Sequence, residues 1–343
     1  MYCEVYLFDA PYHIDRPFDY FCGDNVTIGD IVRVPFGRAN GLRFAAVTRL
    51  KESADGENIK TVHSVLDRRY SLNGEMLGLC LFLKEYTLSS FGEAVKCIIP
   101  PAALSDVPNV RLKKTCVLTL SEEDTEKKLS ASGREGIRSE GQRLIIEYLK
   151  SIGSADIELV RALPGVSYAN ISALKEKGII KILESESIRN PYAEYARIRN
   201  DAPIILSPAQ QTAYETVEKL LLSNEPRAAL LFGVTGSGKT KIIMKAIDKT
   251  LAEGKTVIML VPEIALTPQT VNIFCTRYGE RVAVVHSSLS AGERFDAWRR
   301  IKRGEVDLVI GTRSAIFAPI ENIGLIVIDE EHEHTYKSES SPR

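Results

Sequence analysis

The chain has 343 residues, with 44 Lys and Arg against 45 Asp and Glu and a formal net charge of -1. That length allows two or three domains with full hydrophobic cores, and the balanced charge excludes a basic field over the whole molecule, so any nucleic-acid affinity must come from local patches. No apolar run has the length of a membrane span, the first residues lack a charged-then-apolar signal, and the six cysteines (Cys3, Cys22, Cys80, Cys97, Cys116, Cys275) include no C-x-x-C pair, which points to reduced thiols in a cytoplasm and away from a zinc site.

Short β-like runs at residues 3–8, 31–36, 44–50 and 60–66 are separated by turns at Gly23-Asp24-Asn25, Gly29-Asp30 and Asp55-Gly56. They predict a small β-rich domain over residues 1–105, with a helix over 72–88 packed on it. Within it, Arg16-Pro17-Phe18-Asp19-Tyr20 and Val34-Pro35-Phe36-Gly37-Arg38 each set an aromatic beside a charge and a rigid proline. An aromatic face can stack on a base, and a carboxylate can accept from a base amino group or a sugar hydroxyl. Physics alone favours a plainer reading, a β-turn around a core phenylalanine.

Residues 114–120 read as a strand and 121–138 as a charged, apolar-poor linker. Ser139-Glu140-Gly141-Gln142 has capping-box spacing and opens a helix through Lys150. Ser154 caps a second helix over 155–163, ended by Pro164-Gly165, and Ser167 caps a third that runs to Lys177 and stops at Gly178. A strand over 179–183 follows. Three helices and then a strand predict a winged-helix domain over 109–190. Its third helix carries Tyr168, Asn170, Lys175 and Lys177 where a DNA groove can meet them, although winged helices also bind proteins. Residues 191–203 form a second linker.

From residue 204 to 343, apolar runs at 228–232, 256–261, 282–285, 306–310 and 324–328 alternate with helices that stop at Gly254, Gly279 and Gly304. This alternation predicts an α/β lobe around a parallel sheet, with ligands beyond the carboxyl ends of its strands. Gly233-Val234-Thr235-Gly236-Ser237-Gly238-Lys239-Thr240 fits the phosphate-loop pattern G-x-x-x-x-G-K-[ST] between a predicted strand and a predicted helix. Gly233, Thr235, Gly236, Ser237 and Gly238 make the cradle, because glycines let backbone N–H groups turn toward a phosphate chain and the helix N-terminus adds partial positive charge. Lys239 supplies a point charge for the β- and γ-phosphates of ATP, and Thr240 a hydroxyl for Mg²⁺.

Asp329-Glu330-Glu331-His332 directly follows the last strand. A carboxylate there can hold Mg²⁺ and a second can orient and deprotonate an attacking water, which assigns Asp329 to the metal and Glu330 to the water. His332 is placed to couple the nucleotide to another site. Upstream, Gln210 has two readings: a capping box with Ser207, or recognition of adenine through a carboxamide that both donates and accepts. Two more strand ends carry Thr267, Pro268 and Gln269, and Thr312 and Arg313. Singly, each reads as a helix cap. Together, on one edge of an ATP-binding sheet, their hydroxyls, free helix N-terminus and arginine suit a nucleic-acid backbone.

The sequences GVTGSGKT, VPEIALTPQ, IGTRSAIF and IDEEH, in that order after Gln210, closely resemble the first RecA-like lobe of superfamily 2 helicases. Among these they resemble the PriA family of primosomal replication-restart DNA helicases, and FDY and VRVPFG resemble that family's DNA 3′-end-binding domain. The resemblance covers essentially the whole chain. It implies that Phe18, Asp19, Gly37 and Lys60 form a pocket for the terminal 3′ nucleotide of a nascent strand. It also implies 3′-to-5′ unwinding driven by ATP and Mg²⁺, recognition of stalled forks with a 3′-OH leading strand, and partnership with single-stranded-DNA-binding protein and other primosome proteins. The family continues into a second motor lobe with a zinc-binding insertion. The zinc ligands and the arginine finger of that part are absent from these residues, so the resemblance implies an N-terminal fragment. The competing expectation is a non-catalytic fork-binding adaptor whose sheet is only a scaffold, and the presence of Lys239, Thr240, Asp329 and Glu330 argues against it.

Overall fold

The computed structural model describes every residue except 55–57, 105–109, 121–123, 125–136, 138, 199, 201, 224, 235, 339–341 and 343. The chain divides into two compact units, one made of Met1–Asn109 with Asn190–Arg343 and the other of Val110–Arg189.

The first unit opens on a five-stranded sheet built from β1 (Tyr2–Leu7), β2 (Phe18–Phe21), β3 (Ile31–Phe36), β4 (Gly41–Lys51) and β5 (Ser64–Val65), in the order β2-β1-β4-β3-β5. All of its pairings are antiparallel. Strict alternation along β1 turns Cys3, Val5 and Leu7 inward, where they meet Val32, Val34, Ala45 and Val47. The β3–β4 hairpin closes through Gly37 and Asn40, both with left-handed backbone (φ 72 and 52), which suits a residue without a Cβ and an asparagine. Two helices follow, α1 (Gly74–Tyr86), capped by Asn73, and α2 (Phe91–Ile98), opened by a Ser90/Glu93 capping box. The ring of Phe91 stacks on Tyr6 of β1 at 4.8 Å. Gly92 lies so close to the Phe8 carbonyl that a Cβ there would collide with it.

The second unit carries a three-stranded antiparallel sheet, β7-β6-β8, made of β6 (Leu112–Leu118), β7 (Ser154–Asp156) and β8 (Ile180–Glu186). Helices α3 (Glu140–Ile152), α4 (Ile157–Arg161) and α5 (Tyr168–Glu176) cover it through Ile145, Ile146, Leu149, Val160, Ile171 and Leu174. The second helix is shorter than its sequence predicts. Residues 154–156 pair with β6 instead, and the cap passes from Ser154 to Asp156, whose carboxylate accepts from the Glu158 N–H at 3.0 Å. Nearly all of the predicted 121–138 linker lies outside the described residues.

The chain then returns to the first unit through α6 (Ala193–Arg197) and α7 (Pro208–Leu221), and continues as α8 (Lys239–Ala252), β9 (Thr256–Leu260), α9 (Pro268–Tyr278), β10 (Val282–Val285), α10 (Ala291–Lys302), β11 (Leu308–Gly311) and β12 (Ile323–Ile328). The sheet is wholly parallel in the order β10-β11-β9-β12. One face buries Val257, Met259, Val271 and Phe274, and the other Ile258, Leu260, Ile301 and Val309. Within this unit, the indole N–H of Trp298 on α10 donates to the Ile98 carbonyl at 2.8 Å, and Tyr70 packs on Phe295 and Trp298.

The run 228–232, which reads as a buried strand, forms none: Leu230 is 75% and Phe232 91% exposed. A parallel strand is stable when it is paired and both its faces are covered. Among the described residues β12 pairs only with β9, and its Ile326 and Ile328 are themselves about half exposed. Apolar composition alone therefore does not seat the run in the sheet. Among the described residues, no helix is long and apolar enough to cross a membrane.

Candidate nucleotide and nucleic-acid sites

All four parallel strands end at one edge, and their common direction brings the loops after β9, β11 and β12 to it. The phosphate loop runs into α8 through Gly236 (φ 80) and Gly238 (φ 85), left-handed positions that favour glycine. Lys239 is the first helical residue, and its ammonium donates to the Gly233 carbonyl at 2.8 Å. The same nitrogen lies 3.8 Å from the Glu330 carboxylate, so the loop and the acidic turn, separated widely in sequence, form one site. Thr240 is exposed beside them, and Thr235 lies outside the described residues.

Gln210 does two structural jobs. Its Oε1 accepts from the Ser207 N–H at 2.9 Å while its own N–H donates to the Ser207 hydroxyl at 3.4 Å, which is the capping box of α7. Its Nε2 donates to the Ser237 carbonyl at 2.8 Å, and a Cβ on Gly238 would collide with it. The carboxamide is thus tied to the phosphate loop itself, a contact that sequence spacing does not announce.

The Asp329 N–H continues the sheet by donating to the Leu260 carbonyl at 2.9 Å. Glu330 then takes a left-handed backbone (φ 49), an uncommon conformation for a residue with a side chain and one that tends to sit at functional turns. Burial, and next the Glu330 charge, push the Asp329 carboxyl above its usual range, with the Lys239 ammonium opposing them. His332 Nδ1 lies 3.8 Å from both the Glu330 and Glu331 carboxylates. A glycine-built loop at a helix N-terminus, one ammonium, one hydroxyl and two crowded carboxyls are the donor set that a nucleotide triphosphate with Mg²⁺ calls for.

The other lobe residues divide. The Thr267 hydroxyl accepts from the Thr270 N–H at 3.2 Å, as a helix cap, and Gln269 is exposed next to it. Thr312 is buried, leaving its hydroxyl little access to a backbone phosphate. The Arg313 guanidinium donates to the carbonyls of Thr335 at 3.4 Å and Lys337 at 2.9 Å.

In the N-terminal sheet, Phe18 packs edge-on against Phe36 at 5.1 Å, with the Arg16 guanidinium 5.6 Å over its ring. Both phenylalanines also lean on the core, so the plainer reading of a core aromatic holds in part. The Lys60 ammonium donates to the Gly37 carbonyl at 2.7 Å, and residues 60 to 62 are held against Phe21 by two backbone hydrogen bonds. Phe18, Gly37 and Lys60 therefore share one end of the sheet. Asp19 alternates to the other face of β2, where its carboxylate meets the Lys51 ammonium at 2.8 Å, and Lys51 also reaches Glu4 at 2.9 Å. Lys51 gives no signal in sequence, because ion pairing across strands leaves no periodicity. In the second unit, Asn170 is spent on the fold: its Oδ1 accepts from the Ser167 N–H and its Nδ2 donates to the Ser139 hydroxyl at 2.7 Å, while Tyr168 stays exposed.

Comparison with known proteins bears on both ends of this arrangement. Residues 6–100 match the 3'DNA-binding domain (3'BD) family and residues 207–341 the DEAD/DEAH box helicase family. The fold and the loop–carboxylate site thus belong to a helicase-type lobe joined to a 3′ DNA-binding domain. The replication restart protein PriA of Bacillus subtilis (strain 168) is 35% identical over 100% of this chain and 50% of its own length. The PriA proteins of Haemophilus influenzae and Chlamydia muridarum are 32% and 31% identical over 96% and 93% of this chain, and 44% and 42% of theirs. The chain belongs to the PriA family of replication restart proteins, and it spans about half the length of the curated relatives it matches.

Proposed function

We propose that this chain recognises branched DNA at stalled replication forks through the 3′ end of the nascent strand and binds ATP·Mg²⁺, as the fork- and nucleotide-binding part of a 3′-to-5′ replication-restart helicase. The observation that carries this reading is the Lys239 ammonium held between the Gly233 carbonyl and the Glu330 carboxylate at the sheet's carboxyl edge. A scaffold-only sheet has no use for that arrangement. Gly233, Gly236, Ser237 and Gly238 present backbone to phosphates, Lys239 neutralises them, Thr240 and Asp329 hold the metal, and Glu330 orients water. When bound, Mg²⁺ offsets the charge that phosphoryl transfer develops. His332 lies beside both turn carboxylates, which supports a coupling role.

Thr267, Gln269 and Arg313 track the strand backbone, Phe18, Gly37 and Lys60 receive the terminal nucleotide, and Asp19 exchanges its Lys51 partner for it. The helices and three-stranded sheet of the second unit are consistent with a winged helix that meets duplex arms. Single-stranded-DNA-binding protein and primosome proteins are the proposed partners, and the cytoplasm the proposed compartment.

Titration of the purified chain with a fluorescent adenine nucleotide tests the reading. Saturable binding that requires Mg²⁺ is expected. A flat titration from folded protein would leave the fork-binding adaptor as the better account.

A further inference from the structure

Glu4 on β1 and Asp19 on β2 stand directly opposite each other in the ladder. Like charges so placed repel across a strand pair. A third strand resolves the conflict: Lys51, at the end of β4, brings its ammonium to 2.8 Å from Asp19 and 2.9 Å from Glu4. This is no open surface pair, since the Asp19 side chain is 14% exposed, Glu4 21% and Lys51 26%. Water and salt therefore screen the three charges less than they screen Arg49, which stands opposite Glu4 on β4 and is exposed. Hydrogen bonds to Asp19 first and Glu4 second hold the Lys51 ammonium above its ordinary pKa range, so it stays charged at neutral pH. β2 is the edge strand of its sheet, and a nucleotide laid along that edge meets Phe18 on one face and this cluster on the other.

We infer that the Glu4–Lys51 pair sets the end chemistry of this site: it selects a strand that ends in a hydroxyl over one that ends in a phosphate. The inference rests on the reading of Asp19 as a 3′-end residue. A terminal hydroxyl donates to Asp19 and adds no charge, while Lys51 keeps Glu4 as its acceptor. A terminal phosphate brings a charge of about −1.5 to −2 beside both carboxylates. The ammonium it meets is already shared between two acceptors. Glu4 acts through Lys51, so both are positioning residues for Asp19.

The test measures affinity for a fork whose leading strand ends in a free 3′-OH and for the same fork ending in a 3′-phosphate, and takes the ratio. Glu4→Gln is expected to lower the wild-type preference for the hydroxyl end about three-fold or more, because one repelling carboxylate is gone and Lys51 can turn to the phosphate. Lys51→Met keeps an apolar stem and removes the charge. It should weaken binding of both forks and raise the ratio, since the phosphate then faces two carboxylates with no ammonium between them. A merely structural defect weakens both forks alike and leaves the ratio where it was. Glu4→Gln carries the test by itself if Lys51→Met fails to fold. A ratio unchanged in a folded variant, or shifted the same way in both, overturns the inference and leaves Asp19 in its role. Equal wild-type affinity for the two forks overturns the reading of Asp19 and this inference with it.

Discussion

Lys239→Ala is expected to lower affinity for ATP·Mg²⁺ on the order of 10²-fold while leaving fork binding intact, a loss of the size seen when one member of a hydrogen-bonded charge pair is removed. The ammonium of Lys239 is the cation that contacts both the loop, at the Gly233 carbonyl, and the acidic turn, at Glu330. Without it, the phosphates would face Glu330 and Asp329 with no fixed positive side chain between them. The partners of Lys239 all lie in the lobe, whereas the residues proposed for the DNA end lie on β2, the β3–β4 hairpin and the segment at Lys60. Calorimetric titration of nucleotide and anisotropy with a labelled fork, on a variant with an unchanged melting temperature, separate the two. Parallel loss of both activities would contradict the assignment.

A polypeptide of residues 1–343 is expected to bind forks and nucleotide and yet to displace no strand. Phosphoryl transfer in this class of site needs charge stabilisation at the γ-phosphate, and an arginine finger contributes on the order of 10³–10⁵ in rate. Among the described residues no arginine contacts Lys239, Asp329 or Glu330, and Arg313 is engaged on backbone carbonyls. Unwinding also requires two bodies that open and close along a strand, which one rigid sheet cannot do. A strand-displacement assay on a short fork, with protein free of any longer helicase, is decisive. ATP-dependent displacement that vanishes in Lys239→Ala would show that these residues form a complete motor.

The candidate nucleotide site is the most legible part of the chain because its sequence signals are local. The glycines at 236 and 238 are favoured by the left-handed backbone φ, and Lys239 is the first residue of the helix that follows them. Helix starts at Ser167, Ser207 and Thr267 were equally plain, since a capping side chain acts within three residues. Contacts between distant segments were not. An apolar run such as 228–232 says that it is suited to cover, and nothing about whether a ladder partner stands beside it. Residues 154–156 joined β6 because tertiary pairing overrode local helical preference. The tie of Gln210 to Ser237, the Glu4–Lys51–Asp19 cluster and the hydroxyl of Tyr336 on Asp329 leave no periodic trace, and only the fold reveals them.

The central claim is that one chain joins recognition of a DNA 3′ end to a nucleotide site, and fork binding tests it most directly. The measurement compares affinity for a fork whose leading strand ends in a free 3′-OH with affinity for the same fork ending in a 3′-phosphate, using wild type and Asp19→Ala. The account predicts that wild type prefers the free end. Asp19→Ala should lose about 1.5–3 kcal/mol on that fork, the size of a charge-assisted hydrogen bond, and little on the blocked one. Equal wild-type affinity for the two forks, or equal losses on both in Asp19→Ala, would contradict it.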